Sequence, residues 1–191
     1  YRSSKNRVPP GTAFRRAILK SPPAWPQMAH TYAINHLHVV FSTKHRKPMI
    51  SPEWENELHA IFHGIAREKK FGIDCSGGME DHVHVMVQLP AKLDLSRAVQ
   101  FLKANSSRWA KPRRAGFMWQ EGFSAFSVSA SGLDQVRRYI GAQKDRHPKM
   151  SFEDELRALL RKHGIKWEEQ YLLERMPSLR DSNLMRSCTH L

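Results

Sequence analysis

The stretch His82-Val83-His84-Val85-Met86-Val87-Gln88-Leu89 decides the fold. In a strand successive side chains point to opposite faces, so Val83, Val85, Val87 and Leu89 share one side, and His82, His84, Met86 and Gln88 share the other. The register is strongly specified, because a slip of one residue would exchange the aliphatic row for the imidazoles. Pro90 ends the strand, since it has no N–H to donate to a ladder.

Working outward, the segment before it reads as a short strand, Gly72 to Gly78, followed by a turn through Glu80 and Asp81. Ser51 followed by Pro52 is a helix start. Trp54, Leu58, Ile61, Phe62 and Ile65 then fall on one face, and Gly72 marks the stop. Tyr32 to Thr43 is rich in β-branched and aromatic residues and reads as the first strand. On the other side, Asp94 can cap a helix in which Leu95, Val99 and Leu102 line one side, running toward Trp109. Pro112, with the basic Lys111, Arg113 and Arg114, closes it. Phe123 to Val128 supplies a fourth strand. The order is βαββαβ, an α+β, ferredoxin-like (RRM-like) sandwich. Two helices on one face of the sheet leave its other face open. Two more helices are expected beyond it. One runs from Leu133 to about Arg146, entered from the Ser-rich loop Ser127 to Gly132. The other runs from Ser151 to Lys162, with a Ser151/Asp154 capping box and Gly164 at its end.

Charge narrows the function class. Lys and Arg number 31 against 18 Asp and Glu in 191 residues, a formal charge of +13 that favours polyanionic partners such as nucleic acid. Residues 1–27 hold Arg2, Lys5, Arg7, Arg15, Arg16 and Lys20, no acidic residue and five of the 11 prolines, and read as a disordered basic arm. The ordered domain is expected over 28–175, beginning near Met28, with 176–191 a polar tail. Cys75 and Cys188 offer neither a disulfide framework nor a thiolate cluster. No apolar run reaches the length of a membrane span. The expectation is a soluble, cytoplasmic protein without a membrane partner, associated with the nucleoid when bound to DNA.

His82 and His84 can present two imidazoles to one cation from the face opposite the valines. Chance supplies roughly 0.6 such His-x-His pairs in a chain of this composition, and a second pair, His36 and His38, occurs in the first strand; for it, plain surface histidines are the favoured reading. Tyr139 and Gln143 are four apart and share a helix flank beside the Leu133, Val136 and Ile140 stripe. Arg137, Arg138, Lys144 and Arg146 surround them with positive charge. A packing role for Tyr139 stays open at this point. Glu80 and Asp81 read as turn residues with a supporting role as the alternative. Gly77-Gly78 lacks the lysine of a phosphate-binding loop.

The block Met79-Glu80-Asp81-His82-Val83-His84-Val85-Met86-Val87 resembles the signature of HUH nucleases. Val136-Arg137-Arg138-Tyr139-Ile140 followed by Gln143 is similar to the tyrosine helix of the single-tyrosine transposases of small insertion sequences. His38 to Arg46 and Trp119 to Phe123 match further blocks of that family in order, over about Thr31 to Tyr171. The resemblance implies an enzyme that cuts and rejoins single-stranded DNA at hairpin-marked element ends through a 5′-phosphotyrosine. It implies Tyr139 as nucleophile, and a divalent cation, Mg²⁺ or Mn²⁺, held by His82, His84 and Gln143. It also implies a homodimer, in which the tyrosine helix can be exchanged between protomers with Ser127 to Gly132 as the hinge. Lys44, Arg46, Lys47, Lys111, Arg113, Arg114 and Arg138 are the candidate DNA contacts, with Trp119 or Phe123 as exposed aromatics for unpaired bases. Tyr171 and Tyr32 are the fallback nucleophiles. The competing expectation is a non-catalytic ferredoxin-like nucleic-acid-binding protein.

Overall fold

The computed structural model of the chain describes residues 33–146 and 150–172. The chain divides after Tyr32, and the described residues all belong to the second unit. The expected basic arm over 1–27 and polar tail over 176–191 lie outside the described residues, as do Tyr32 and the side chain of Tyr171.

The strands are β1 (Ile34–Ser42), β2 (Gly72–Gly78), β3 (His82–Pro90) and β4 (Ser124–Ser127). They form one sheet in the order β2-β3-β1-β4 with every pairing antiparallel. Helices α1 (Pro52–Glu68) and α2 (Leu95–Ala110) lie between β1 and β2 and between β3 and β4 in the chain, as the ferredoxin-like reading requires. Further along come α3 (Leu133–Gly141), α4 (Gln143–Arg146), α5 (Phe152–Lys162) and α6 (Glu169–Leu172). The start signals hold: the Ser51 hydroxyl accepts from the Glu53 N–H, and the Ser151 hydroxyl from the Asp154 N–H. Asp94 precedes α2 without a side-chain cap bond.

The aliphatic face of β3 is the core. Val83, Val85, Val87 and Leu89 pack with Val39 and Phe41 of β1, Leu58 and Phe62 of α1, and Val99 and Leu102 of α2. Trp119 belongs to this core. It is 7% exposed, its ring meets Phe41 and Phe117 edge-on, and its Nε1 donates to the Ser106 hydroxyl at 2.8 Å. It is therefore no platform for unpaired bases, because an indole this large contributes most as buried area with its N–H satisfied.

The second face of the sheet is not open. His82, His84 and Met86 are completely buried. α3 packs on β2 and β3, and α5 covers the β1 and β4 half with a small second cluster, in which Phe152, Leu156 and Leu160 meet Val40 and Phe126. The sequence expectation included helices over these segments but left this face open. It missed that the amphipathic α5 needs an apolar partner, which Val40 and Phe126 on this side of the sheet supply.

α3 approaches β2 so closely that a Cβ built on Gly77 would stand 2.7 Å from the Ile140 carbonyl oxygen. Gly77 is there for this approach. The expected single helix from Leu133 to Arg146 is broken at Ala142, whose φ and ψ are −94° and 15°, giving α3 and α4. Gly141, just before the break, is a weak helix former by about 1 kcal/mol relative to Ala.

Candidate active site

Five elements deliver polar groups to the covered face. β3 contributes His82 and His84, β1 His38, α3 Tyr139, α4 Gln143 and α5 Glu155. His38 and His84 are diagonal neighbours, because His38 pairs with Met86 and His84 with Val40 in the register.

Each histidine of β3 is held from behind. His82 Nδ1 lies 2.7 Å from Asp81 Oδ1, and since a carboxylate accepts, Nδ1 is the donor, which in the neutral ring leaves the lone pair on Nε2. His84 Nδ1 lies 2.9 Å from His38 Nε2. Burial, reinforced by His84, lowers the pKa of His38 to about 3. Burial likewise lowers that of His84, against the opposing pull of Glu155. Both rings are thus neutral at pH 7, and a neutral pair shares one hydrogen bond, one ring donating and the other accepting. With His84 Nδ1 as donor, its Nε2 lone pair also faces inward. The ring of Tyr139 closes over the two, 5.8 Å from His38 and 5.9 Å from His84, both edge-on. Phe152 of α5 stacks on His82 at 4.2 Å.

The centre of the cluster is Glu155. Its Oε1 accepts hydrogen bonds from the Tyr139 hydroxyl and, at 2.8 Å, from Gln143 Nε2. Its Oε2 lies 3.8 Å from His82 Nε2 and 3.6 Å from His84 Nε2. Burial works against its charge, while the hydrogen bonds from Tyr139 and Gln143 favour the ionised form, and its carboxyl lies below the ordinary carboxylate range. His82, His84 and Glu155 each offer a ligand atom, all within 4.8 Å of one another, a group that could hold a metal ion. His84 Nε2 and Gln143 Oε1 are buried and make no hydrogen bond.

The structure thus brings together His82, His84, Tyr139 and Gln143, all singled out in the sequence, and within one chain. Three further members differ from expectation. Asp81, read as a turn residue, has its carboxylate on His82, and His38, read as a surface histidine, is 3% exposed and bonded to His84. Glu155 carried no sequence signal toward chemistry. It is one of three acidic residues in the first turn of α5, where helix capping alone accounts for carboxylates. Two of the cations expected around Tyr139 are engaged elsewhere. Arg137 pairs with Asp74 and Asp134, and Lys144 with Glu55, so the charged group on its hydroxyl is a carboxylate.

The expected DNA contacts separate into two sets. Lys47, Lys111, Arg114 and Arg138 are exposed, as is Arg113, which reaches Glu57 and lies over the Trp109 ring. Lys44 is half-buried. Arg46 turns inward: it bonds Glu153, lies 3.6 Å from Asp81 and stacks on Phe152, tying α5 to the end of β1. Phe123 is exposed and lines a cleft of about 600 Å³ with Phe152, Trp167 and Arg46. No helix among the described residues is long and apolar enough to cross a membrane.

Against known proteins, the family profile described as "Transposase IS200 like" matches residues 31–143. The transposases for insertion sequence element IS200 of Salmonella typhimurium and of Salmonella typhi are each 28% identical over 80 residues, which is 42% of this chain and 53% of theirs. The chain thus spans about half the length of these curated relatives. Among solved structures, a protein from Deinococcus radiodurans described as a transposase is 23% identical, with a TM-score of 0.48 over 60% of this chain and 95% of that one. A REP-associated tyrosine transposase bound to a REP hairpin is 16% identical, also at 0.48, over 62% and 72%.

Proposed function

The chain belongs to the IS200-like transposase family, and on that footing we propose that it cleaves and rejoins single-stranded DNA at hairpin-marked element ends, with Tyr139 as nucleophile and a 5′-phosphotyrosine intermediate. The observation that carries this reading is that a phenol from a late helix and two inward-facing imidazoles from β3 surround one carboxylate. A binding module without catalysis has no use for such a cluster. It would display aromatics on an uncovered sheet face, whereas here that face is closed.

In the reaction, Tyr139 Oη attacks the scissile phosphorus, an O–P bond replaces its O–H bond with the proton released to solvent, and the bond to the 3′-oxygen breaks. The liberated 3′-oxygen takes up a proton and leaves as a hydroxyl. Because the 5′-phosphotyrosyl ester keeps the energy of the bond it replaced, a 3′-hydroxyl can reverse the step, and joining needs no nucleotide cofactor. Edge-on packing against His38 and His84 restrains the Tyr139 ring, which gives the alignment this displacement demands. Tyr139 is also the half-buried member among fully buried neighbours, so the phosphate enters on its side.

His82 and His84 would hold the divalent cation, with Gln143 the third donor that the resemblance implies; the inward Nε2 of His84, buried without a hydrogen bond, fits that task. When bound, Mg²⁺ or Mn²⁺ supplies Lewis-acid polarisation of the phosphate and orients it for in-line attack. Exposed Lys47, Lys111, Arg114 and Arg138 hold the DNA backbone, and Phe123 stacks an unpaired base at the mouth of its cleft. The working unit is a homodimer, and the presence of the set within one chain supports a site that acts in cis.

The test is incubation with hairpin-bearing single-stranded oligonucleotides and Mn²⁺, read on a denaturing gel with peptide mapping. A conjugate on the Tyr139 peptide is expected. A conjugate that survives Tyr139→Phe places the nucleophile elsewhere, and full cleavage in EDTA removes the cation from the reaction.

A further inference from the structure

Glu155 lies outside residues 31–143 that carry the family match, on a helix that begins after the tyrosine helix has ended. Its carboxylate nonetheless contacts Tyr139, Gln143, His82 and His84. If His82 and His84 hold a cation, as proposed for the reaction, a third protein donor completes the set, and the assignment of that donor rests on the cation reading.

We infer that Glu155, rather than Gln143, is the third protein ligand of the cation, and that its two oxygens divide two tasks: Oε2 joins His82 and His84 on the ion, while Oε1 fixes the hydroxyl of Tyr139. Three observations support this. First, ligand atoms of one Mg²⁺- or Zn²⁺-sized ion sit about 2.0–2.2 Å from it, so two of them are at most about 4.4 Å apart. Oε2 lies 3.8 and 3.6 Å from the two Nε2 atoms, within that limit and beyond hydrogen-bond contact. Second, Gln143 donates its Nε2 to Glu155 Oε1 at 2.8 Å, which ties the amide to this carboxylate. Gln143 therefore orients the carboxylate, as second partners of metal ligands commonly do. Third, the helix carrying Glu155 is anchored on both sides of it. Phe152 stacks on His82, and Leu156 and Leu160 pack against Val40 and Phe126. That holds the carboxylate in place before substrate arrives.

The chemistry also favours this set. Two neutral imidazoles and one carboxylate suit Mn²⁺ or a similar ion better than imidazoles and an amide, because the carboxylate adds opposite charge in a low-dielectric site. Glu155 is a positioning residue toward the nucleophile: it sets where the phenolic oxygen stands relative to the ion.

The experiment uses the full chain with Glu155→Gln, Glu155→Ala, Gln143→Ala and His82→Ala, each confirmed folded by thermal melting. Mn²⁺ alone is titrated by electron paramagnetic resonance, and conjugate formation is timed in single turnover at saturating Mn²⁺. Glu155→Gln is expected to weaken Mn²⁺ binding at least tenfold, more than Gln143→Ala does. Glu155→Ala is expected to slow the saturated rate at least tenfold, with part of the loss recovered in Glu155→Gln, whose oxygen still accepts from Tyr139. Unchanged Mn²⁺ affinity in Glu155→Gln, beside a large loss in His82→Ala, overturns the inference and leaves the cation reading standing. If His82→Ala also binds Mn²⁺ normally, the cation reading itself falls. A Glu155→Ala chain that reacts faster than the parent would make the carboxylate an obstruction and equally overturn the inference.

Discussion

The two faces of β3 are built from one strand and differ in almost every physical respect. On one side, Val83, Val85, Val87 and Leu89 meet Leu58, Phe62 and Leu102 in a core whose stability comes from area and close packing. On the other, His82, His84 and Met86 are buried just as completely, but beneath polar groups from α3, α4 and α5 joined by specific hydrogen bonds. An apolar face tolerates any filler of the right volume. A buried polar face is satisfied only by particular partners at particular distances, and so it can be shaped for chemistry.

That contrast can be broken from either side. The largest effect is expected from Tyr139→Phe, which removes one hydroxyl from the polar face. Conjugate formation should drop by at least ~10³-fold, while urea melts shift by only about 1.5–3 kcal/mol, the range for a hydrogen bond to a charged acceptor. Mixing Tyr139→Phe with His82→Ala chains should restore nothing, because each chain carries its own complete set; recovered cleavage on a gel would show that the tyrosine helix crosses between subunits. On the apolar face, Phe62→Ala should remove about 3–5 kcal/mol of stability. Its effect on the rate should be no greater than its loss of folded protein.

A smaller change sharpens the boundary between the faces. Gly77→Ala puts a methyl group against the Ile140 carbonyl and should push α3 off β2. About 1–3 kcal/mol of stability is expected to go with it, and conjugate formation should slow because Tyr139 moves with the helix.

Acid should act on the polar face through His38. His38 is surrounded by His84, Glu155, His163 and Lys162, and its pKa is lowered to about 3 from 6.5, with burial the main cause. The unfolded chain therefore binds more protons than the native one between those values, and stability falls as pH drops through that window. In EDTA, His38 should contribute a loss on the order of 1–2 kcal/mol between pH 7 and pH 5, and urea melts of His38→Gln should show a flatter profile. The smallest effect is expected at the surface. Arg114→Ala should lower the slope of log affinity against log salt for single-stranded DNA by about 0.7 while leaving cleavage at saturating DNA unchanged.

Much of the fold was legible because it is written in local patterns. The alternation at His82 to Leu89, the cap at Ser51 and the Ser151/Asp154 pair each report on residues within a few positions, and each element appears where they place it. The site was legible in part. His82 and His84 stood out against the valines, and Tyr139 and Gln143 by their spacing. His38, Asp81 and Glu155 did not, since nothing near them in sequence separates a partner of the site from a surface histidine, a turn acid or a helix-start acid. What made them members is the register of β1 on β3 and the docking of α5.

By itself, then, the sequence determined the βαββαβ order, the cationic character and the two imidazoles on one face, because periodicity and charge are properties of the chain alone. Only the tertiary structure decided that this face is closed, that α5 closes it, and that a carboxylate from that helix stands between the phenol and the imidazoles. Contacts between elements far apart in the chain depend on how their surfaces fit, and spacing carries no record of that fit.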